Sequence, residues 1–198
     1  MSLLSDPWFY GLVQTLTGAH RSRIRLKRHF DTFPMGALVL DLGGGTGAVA
    51  PYLPQHSKYT CLDSDRAKLR GLRNAHPQAD AILADATSVP MRSDCVDVVL
   101  SIAVSHHLTD IALDRMFSET RRVLKSGGRL VFLDALAGPR AATRLMWSID
   151  RGAHPRSSGV LRAALGRHLT VILEERHALW HEYITMIGRK DLSPGSNS

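Results

Sequence analysis

The sequence predicts an α/β fold: a doubly wound, mostly parallel sheet with helices on both faces. Three observations predict it. Short apolar runs alternate with stretches of helical periodicity along most of the chain, as βαβ units require. The first apolar run, Ala37-Leu38-Val39-Leu40, is continuous rather than alternating, as in a strand buried on both faces. It leads into a glycine cluster, Gly43-Gly44-Gly45-Thr46-Gly47, placed where such a sheet opens its ligand crevice.

The elements follow in order. Asp6-Pro7 reads as an N-cap with proline at the first helical position. Trp8, Phe9, Leu12, Val13 and Leu16 continue at helical spacing until Gly18. A basic stretch, His20 to His29, forms a second helix ending before Phe33-Pro34. After the first strand and its glycines, a helix runs to about Leu53. Tyr59–Leu62 is the second strand, and Asp65 caps a helix carrying Leu69 and Leu72. Ala81–Leu83 and Val96–Leu100 are the third and fourth strands. Thr109 or Asp110 starts a helix with Leu113, Met116, Phe117, Thr120 and Leu124 on one face, stopped by Gly127-Gly128. Leu130–Leu133 is the fifth strand. A helix near Val160–Arg167 precedes two closing strands, Leu169–Leu173 and Tyr183–Ile187, expected to pair antiparallel.

The chain has 198 residues, 44% of them hydrophobic. That supports one globular domain with a full core. Its expected organisation is an N-terminal helical lid (1–34), a ligand-binding core (35–136), a lid or insertion (139–156), a closing helix and strands (157–190) and a tail (191–198). No apolar run reaches the roughly 20 residues that a membrane span needs, and no secretory signal is visible at the N-terminus. Cys61 and Cys95 stand in unlike contexts with no CxxC or Cys/His spacing, so no disulfide framework and no metal site is expected, and the cytoplasm is the expected location. The net charge is +7. The basic stretch reads first as a solvated helix face. The alternative is a surface for an anionic substrate, an acidic lipid or nucleic acid, although no dedicated nucleic-acid module is present.

The chemistry concentrates at Val39-Leu40-Asp41-Leu42-Gly43-Gly44-Gly45-Thr46-Gly47. Glycines there let the chain take positive φ or approach a ligand without a Cβ. A phosphate loop would need Gly-Lys-Ser/Thr, whereas Gly47 is followed by Ala48-Val49. A nicotinamide-binding turn fits loosely, as Gly43-x-Gly45-x-x-Ala48. A methyl-donor site fits better, because the Asp41 carboxylate suits a ligand bearing an ammonium and a sulfonium rather than a pyrophosphate.

Asp41-Leu42-Gly43-Gly44-Gly45-Thr46-Gly47 resembles the first motif of the class I S-adenosylmethionine-dependent methyltransferases. Cys61-Leu62-Asp63-Ser64-Asp65 is similar to the acidic end of that family's second strand, and Ala84-Asp85-Ala86 to its adenine-contacting motif. Ser101-Ile102-Ala103-Val104-Ser105-His106-His107-Leu108 resembles the segment after its fourth strand, and Gly127-Gly128-Arg129-Leu130 the turn into its fifth. The order and spacing resemble the branch acting on small molecules, quinones and lipids. The resemblance implies a Rossmann-like, seven-stranded sheet in the order 3-2-1-4-5-7-6, its last strand antiparallel, and S-adenosylmethionine as cofactor. It implies cofactor contacts at Asp41, Gly43, Gly44, Gly45, Gly47, Asp63, Ser64, Asp85, Ala86, Ser101 and Ile102. Asp63 stands about 20 residues past the turn, where a carboxylate can accept both ribose hydroxyls. Asp85 would accept from the adenine amino group beside the Ala86 N–H, and Ser101 and Ile102 would lie against the methionine part.

His106 and His107 are the acid/base candidates near the crevice, since imidazole titrates near neutral pH. The plainer reading has one ring packed under the following helix and bonded to backbone. The expected reaction is methyl transfer to a small-molecule or lipid-like acceptor. The aromatic and basic N-terminal segment suits an anionic or amphiphilic acceptor, with peripheral membrane contact a further option. The alternatives are a nicotinamide-dependent oxidoreductase and a non-catalytic nucleoside-binding module.

Overall fold

The computed structural model describes residues 19–138, 154–178 and 182–192. The first N-terminal helix of the sequence reading, most of the 139–156 segment including Met146 and Trp147, His181 and the tail from residue 193 lie outside the described residues.

Seven strands form one sheet: β1 (Leu38–Leu42), β2 (Lys58–Asp63), β3 (Asp80–Leu83), β4 (Val96–Ile102), β5 (Leu124–Ala135), β6 (Thr170–Ala178) and β7 (Glu182–Arg189). Their order is β3-β2-β1-β4-β5-β7-β6. The pairs β1–β2, β1–β4, β2–β3 and β4–β5 are parallel, and β7 runs antiparallel to both β5 and β6. This is the topology expected from the sequence.

Side-chain alternation divides the core between two layers. Leu40, Leu42, Val99, Phe132 and Met186 face α3 (Asp110–Val123) and α4 (Ser158–Gly166), meeting Leu113, Phe117 and Leu161. Phe117 packs on Phe132 edge-on, 5.7 Å between ring centroids. On the opposite face Val39, Val98, Leu100, Val131 and Leu133 meet Leu26 and Phe30 of α1 (Ala19–Phe30). Leu69 and Leu72 of α2 (Arg66–Ala75) pack with Cys61 of β2. Helices therefore cover both faces. The part of the N-terminal segment holding Leu26 and Phe30 is a layer of the core, with Phe30 fully buried.

Capping follows the sequence. Asp65 accepts from the Ala67 and Lys68 N–H groups, Thr109 from Ala112 and Ser157 from Val160. Two elements differ from expectation. The glycine turn is followed by a short 3-10 helix, Ala50–Tyr52, rather than an α-helix. Pro51 supplies no N–H, and Pro54 pushes Leu53 into the extended conformation. Gly127-Gly128 does not stop α3. The helix ends at Val123, and the chain enters β5 at Leu124 with a register shift against β4 between Val96 and Val98. A Cβ on Gly128 would sit 2.8 Å from the Lys125 carbonyl, so glycine there admits the bend.

Candidate cofactor and acid–base site

The carboxyl ends of β1, β2, β3 and β4 converge at one edge, as parallel strands require. The register sets Cys61 opposite Asp41 and Tyr59 opposite Val39, so all three side chains share the α1/α2 face. Asp41 is 3% exposed, and the Tyr59 hydroxyl donates to its Oδ2 at 2.7 Å. Burial, reinforced by the Asp41 carboxylate, pushes the Tyr59 phenol well above its usual range. Tyr59 thus remains a protonated donor, fixing a carboxylate under the turn.

The turn glycines act differently from one another. A Cβ on Gly43 would sit 2.7 Å from Val104 Cγ2. On Gly44 it would collide with the Asp41 carboxylate, and on Gly47 with Leu72. These three glycines admit close packing inside the protein. At Gly45, φ +60°, a built Cβ would meet no atom of the described residues closer than 3.6 Å, so among them its missing side chain borders open space. The Gly45 N–H donates to Asp63 Oδ2 at 2.9 Å, and the Asp65 N–H donates to Asp63 Oδ1 at 2.8 Å. Asp63, 5% exposed, therefore ties the end of β2 to the turn after β1. A glycine cradle beside a fixed carboxylate fits a nucleoside ligand: backbone can approach it closely, and a carboxylate can accept its hydroxyls.

The other sequence candidates are placed as follows. Ser64 and Asp85 are exposed. Asp85 Oδ1 accepts from the Thr87 N–H at 2.7 Å, which holds the loop after β3, with Ala86 half-buried in it. The Ser101 side chain is fully buried and directed at Met116 Sδ, 3.9 Å away on the α3 face, so its main chain is what a ligand could meet. Ile102 is half-buried and packs on the α1-face cluster. Ala103 follows at φ +58°, turning the chain out of β4.

That turn delivers a 3-10 helix, Ser105–His107. His106 is 6% exposed, and its Nδ1 lies 2.6 Å from Oδ1 of Asp134 near the end of β5. Asp134 is fully buried and also accepts from the Ser105 hydroxyl, the His106 N–H at 3.2 Å and the Ala135 N–H at 2.8 Å. Burial by itself would raise the Asp134 pKa. The hydrogen bonds from His106 and Ser105, together with the His106 charge, outweigh burial and hold the carboxyl below its usual range. An ionised Asp134 makes His106 Nδ1 the donor, and in the neutral ring the lone pair then falls on Nε2. The His106 Nδ1 bond thus goes to a carboxylate. His107 is exposed, its ring centroid 4.1 Å from that of His106.

Arg156 closes the back of this loop. It is buried, donates to the Ser105 carbonyl at 2.8 Å and the Leu108 carbonyl at 2.6 Å, and pairs with Asp110 at 2.7 Å. Sequence reasoning singled out neither Asp134 nor Arg156. The available signal was the lone carboxylate ending Leu130-Val131-Phe132-Leu133-Asp134, since an acid in a buried strand needs partners. Among the described residues no three His, Cys, Asp or Glu side chains are grouped to hold a metal ion.

Residues 40–132 match a protein family described as "Methyltransferase domain". The chain is 32% identical over 137 residues to a malonyl-[acyl-carrier protein] O-methyltransferase of Methylococcus capsulatus, covering 66% of this chain and 49% of that protein. It is 31% identical over 125 residues to a phthiotriol/phenolphthiotriol dimycocerosates methyltransferase of Mycobacterium ulcerans, covering 61% and 44%. The chain thus spans about half the length of these relatives. In fold it is similar to the YcgJ protein of Bacillus subtilis, with a TM-score of 0.73, 15% identity, and coverage of 88% of this chain and 100% of that one.

Proposed function

We propose that this chain, which belongs to the class I S-adenosylmethionine-dependent methyltransferases, transfers a methyl group to a small-molecule or lipid-like acceptor. The observation that carries the reading is the Gly45–Asp63 bond beneath an open glycine cradle. When bound, S-adenosylmethionine supplies an electrophilic methyl on a sulfonium, already joined to a good leaving group. The protein's task is then to hold the acceptor in line, which can account for most of the acceleration.

In this reading Asp63 accepts the ribose hydroxyls, Gly43 to Gly47 line the ligand with backbone, and Asp41 faces its cationic part. Asp85 and Ala86 meet the adenine, Ser64 borders the ribose, and Ser101 and Ile102 lie against the methionine moiety. His106 accepts the acceptor's proton at Nε2. Asp134 is a positioning residue that fixes the tautomer and stabilises the imidazolium; His107 is the alternative base. Acceptor choice is assigned in this reading to the N-terminal segment and residues 139–156, much of which lies outside the described residues. The relatives' names support the acceptor class: one is a malonyl-[acyl-carrier protein] O-methyltransferase, the other a phthiotriol/phenolphthiotriol dimycocerosates methyltransferase. Both cysteines are free and buried, which suits a reducing cytoplasm. No helix among the described residues is long and apolar enough to cross a membrane.

Isothermal titration against S-adenosylmethionine, S-adenosylhomocysteine and NAD tests the cofactor assignment. Binding of the first two and not of NAD is expected; the reverse would make the chain an oxidoreductase. A labelled-methyl screen of small-molecule and lipid fractions then tests turnover, and its failure alongside tight cofactor binding would favour a non-catalytic module. Asp63→Ala should weaken cofactor binding by about 1–3 kcal/mol through unpaired hydroxyls. It should also lower the melting temperature, because it frees the Gly45 and Asp65 N–H groups. Unchanged affinity in the folded variant would remove the ribose from Asp63.

A further inference from the structure

Away from the glycine turn, α1 and the β6–β7 edge enclose a cavity of about 300 Å³ whose lining includes Arg25, Arg28, His29, Glu175, Arg176 and His177. Helical spacing brings Arg25, Arg28 and His29 to one side of α1, while Leu26 and Phe30 anchor the helix in the core. From β6, alternation sends Glu175 and His177 to the same face. The cavity therefore gathers the Arg25 and Arg28 guanidinium groups and two imidazoles around one carboxylate, while the Arg176 guanidinium lies with Glu174 on the other side of β6.

That carboxylate is already shared. Glu175 pairs with Arg28, and His29 Nε2 lies 3.4 Å from it. Arg176 turns to Glu174, which also pairs with Arg162. Arg25 has no ion pair with any described residue. Positive charge thus exceeds negative in a concave site, which focuses the field on an incoming anion. On one wall His177 stacks on Tyr183 at 5.3 Å and 13° between planes. Burial first, then the Arg25 charge, holds His177 below its usual range, so it suits a neutral hydrogen-bonding role.

Level and chemistry point the same way. Thr185 also lines the cavity and pairs with Leu133 of β5, the residue before Asp134. The cavity thus stands on the α1 face, level with the part of β5 that holds His106. Two guanidinium groups one turn apart on α1, facing an imidazole on β6, match a group with several acceptor oxygens and up to two charges, and the volume is at the lower end of small-ligand sites.

We propose that this cavity binds a phosphate group, as the anionic end of the methyl acceptor. The second half of that statement rests on the methyltransferase reading; the first does not. The test uses the full chain at fixed ionic strength, with inorganic phosphate and pyrophosphate as probes in thermal-shift and titration experiments. A saturable rise in melting temperature is expected, with affinity falling about tenfold or more in the Arg25→Gln/Arg28→Gln double variant. S-adenosylhomocysteine affinity should be the same in both proteins, which reports on fold and cofactor site independently. No saturable rise, or an equal rise in the double variant, overturns the site. Cosedimentation with phosphatidic acid but not phosphatidylcholine vesicles, without response to the soluble probes, also overturns it in favour of a lipid surface. Methylation of phosphatase-treated and untreated extract to the same extent removes the acceptor half alone. Loss of cofactor binding with phosphate binding intact sinks the methyltransferase reading alone.

Discussion

A Gly45→Val protein is expected to fold and to lose measurable binding of S-adenosylmethionine. Gly45 sits at φ +60°, a region costing a β-branched residue about 1–3 kcal/mol. Among the described residues nothing fills the space beside it, the nearest side-chain atom being Lys68 Cδ at 3.6 Å from a built Cβ. The core therefore tolerates the added atoms, while the ligand's space and the Gly45–Asp63 bond do not. Gly44→Val and Gly47→Val should behave oppositely, losing stability first, because their added atoms run into Asp41 and Leu72. Circular dichroism melting paired with titration of S-adenosylhomocysteine separates the two behaviours. A folded Gly45→Val variant with ordinary affinity would count against the whole cofactor assignment.

Replacing Asp134 with alanine should cost about 3–5 kcal/mol, the range seen when one member of a buried ionic cluster is removed. The substitution strands the Ser105 hydroxyl, the His106 ring and N–H, and the Ala135 N–H around a cavity. Asp134→Asn keeps the volume and is the variant for kinetics. Because the folded carboxyl is held below its ordinary pKa, its contribution to stability is fully present above about pH 4 and is lost as pH falls below that. Urea titrations over that range should show the wild type losing stability more steeply than Asp134→Asn. Turnover provides the readout that a purely structural role would not move. If Asp134 orients His106, the asparagine variant lowers kcat and shifts the acid limb of the pH–rate profile, leaving S-adenosylhomocysteine affinity unchanged. An unshifted profile would reduce Asp134 to a structural residue.

What the sequence disclosed, it disclosed through local physics. The β1 strand, its glycine turn and the Asp65 cap are written in contiguous residues whose conformational needs are specific. The strand order came from resemblance rather than from periodicity, and the sheet has it. The misses have two causes. Pro51 and Pro54 outweighed apolar spacing after the turn, leaving a 3-10 segment, and a register shift carried β5 back through Gly127 and Gly128. The larger omission is long-range. His106 and Asp134 are 28 residues apart, and Ser105 and Arg156 are 51 apart. Such pairs exist only once parallel strands set their ends side by side. Likewise, the basic run on α1 reads as a solvated face until β6 lies across from it.

Cys61 lies beneath the glycine turn, fully buried, its thiol 3.7 Å from the Gly45 carbonyl. Burial, with the Asp41 charge behind it, pushes that thiol up to about 12. Thiolate, not thiol, is the nucleophile, so almost none of the reactive form exists at neutral pH. S-adenosylmethionine is an alkylating agent, and a thiolate packed under its cradle would be exposed to self-methylation. In the methyltransferase reading, the Asp41 charge that suits a cationic ligand also disfavours ionisation of the sulfur beneath it.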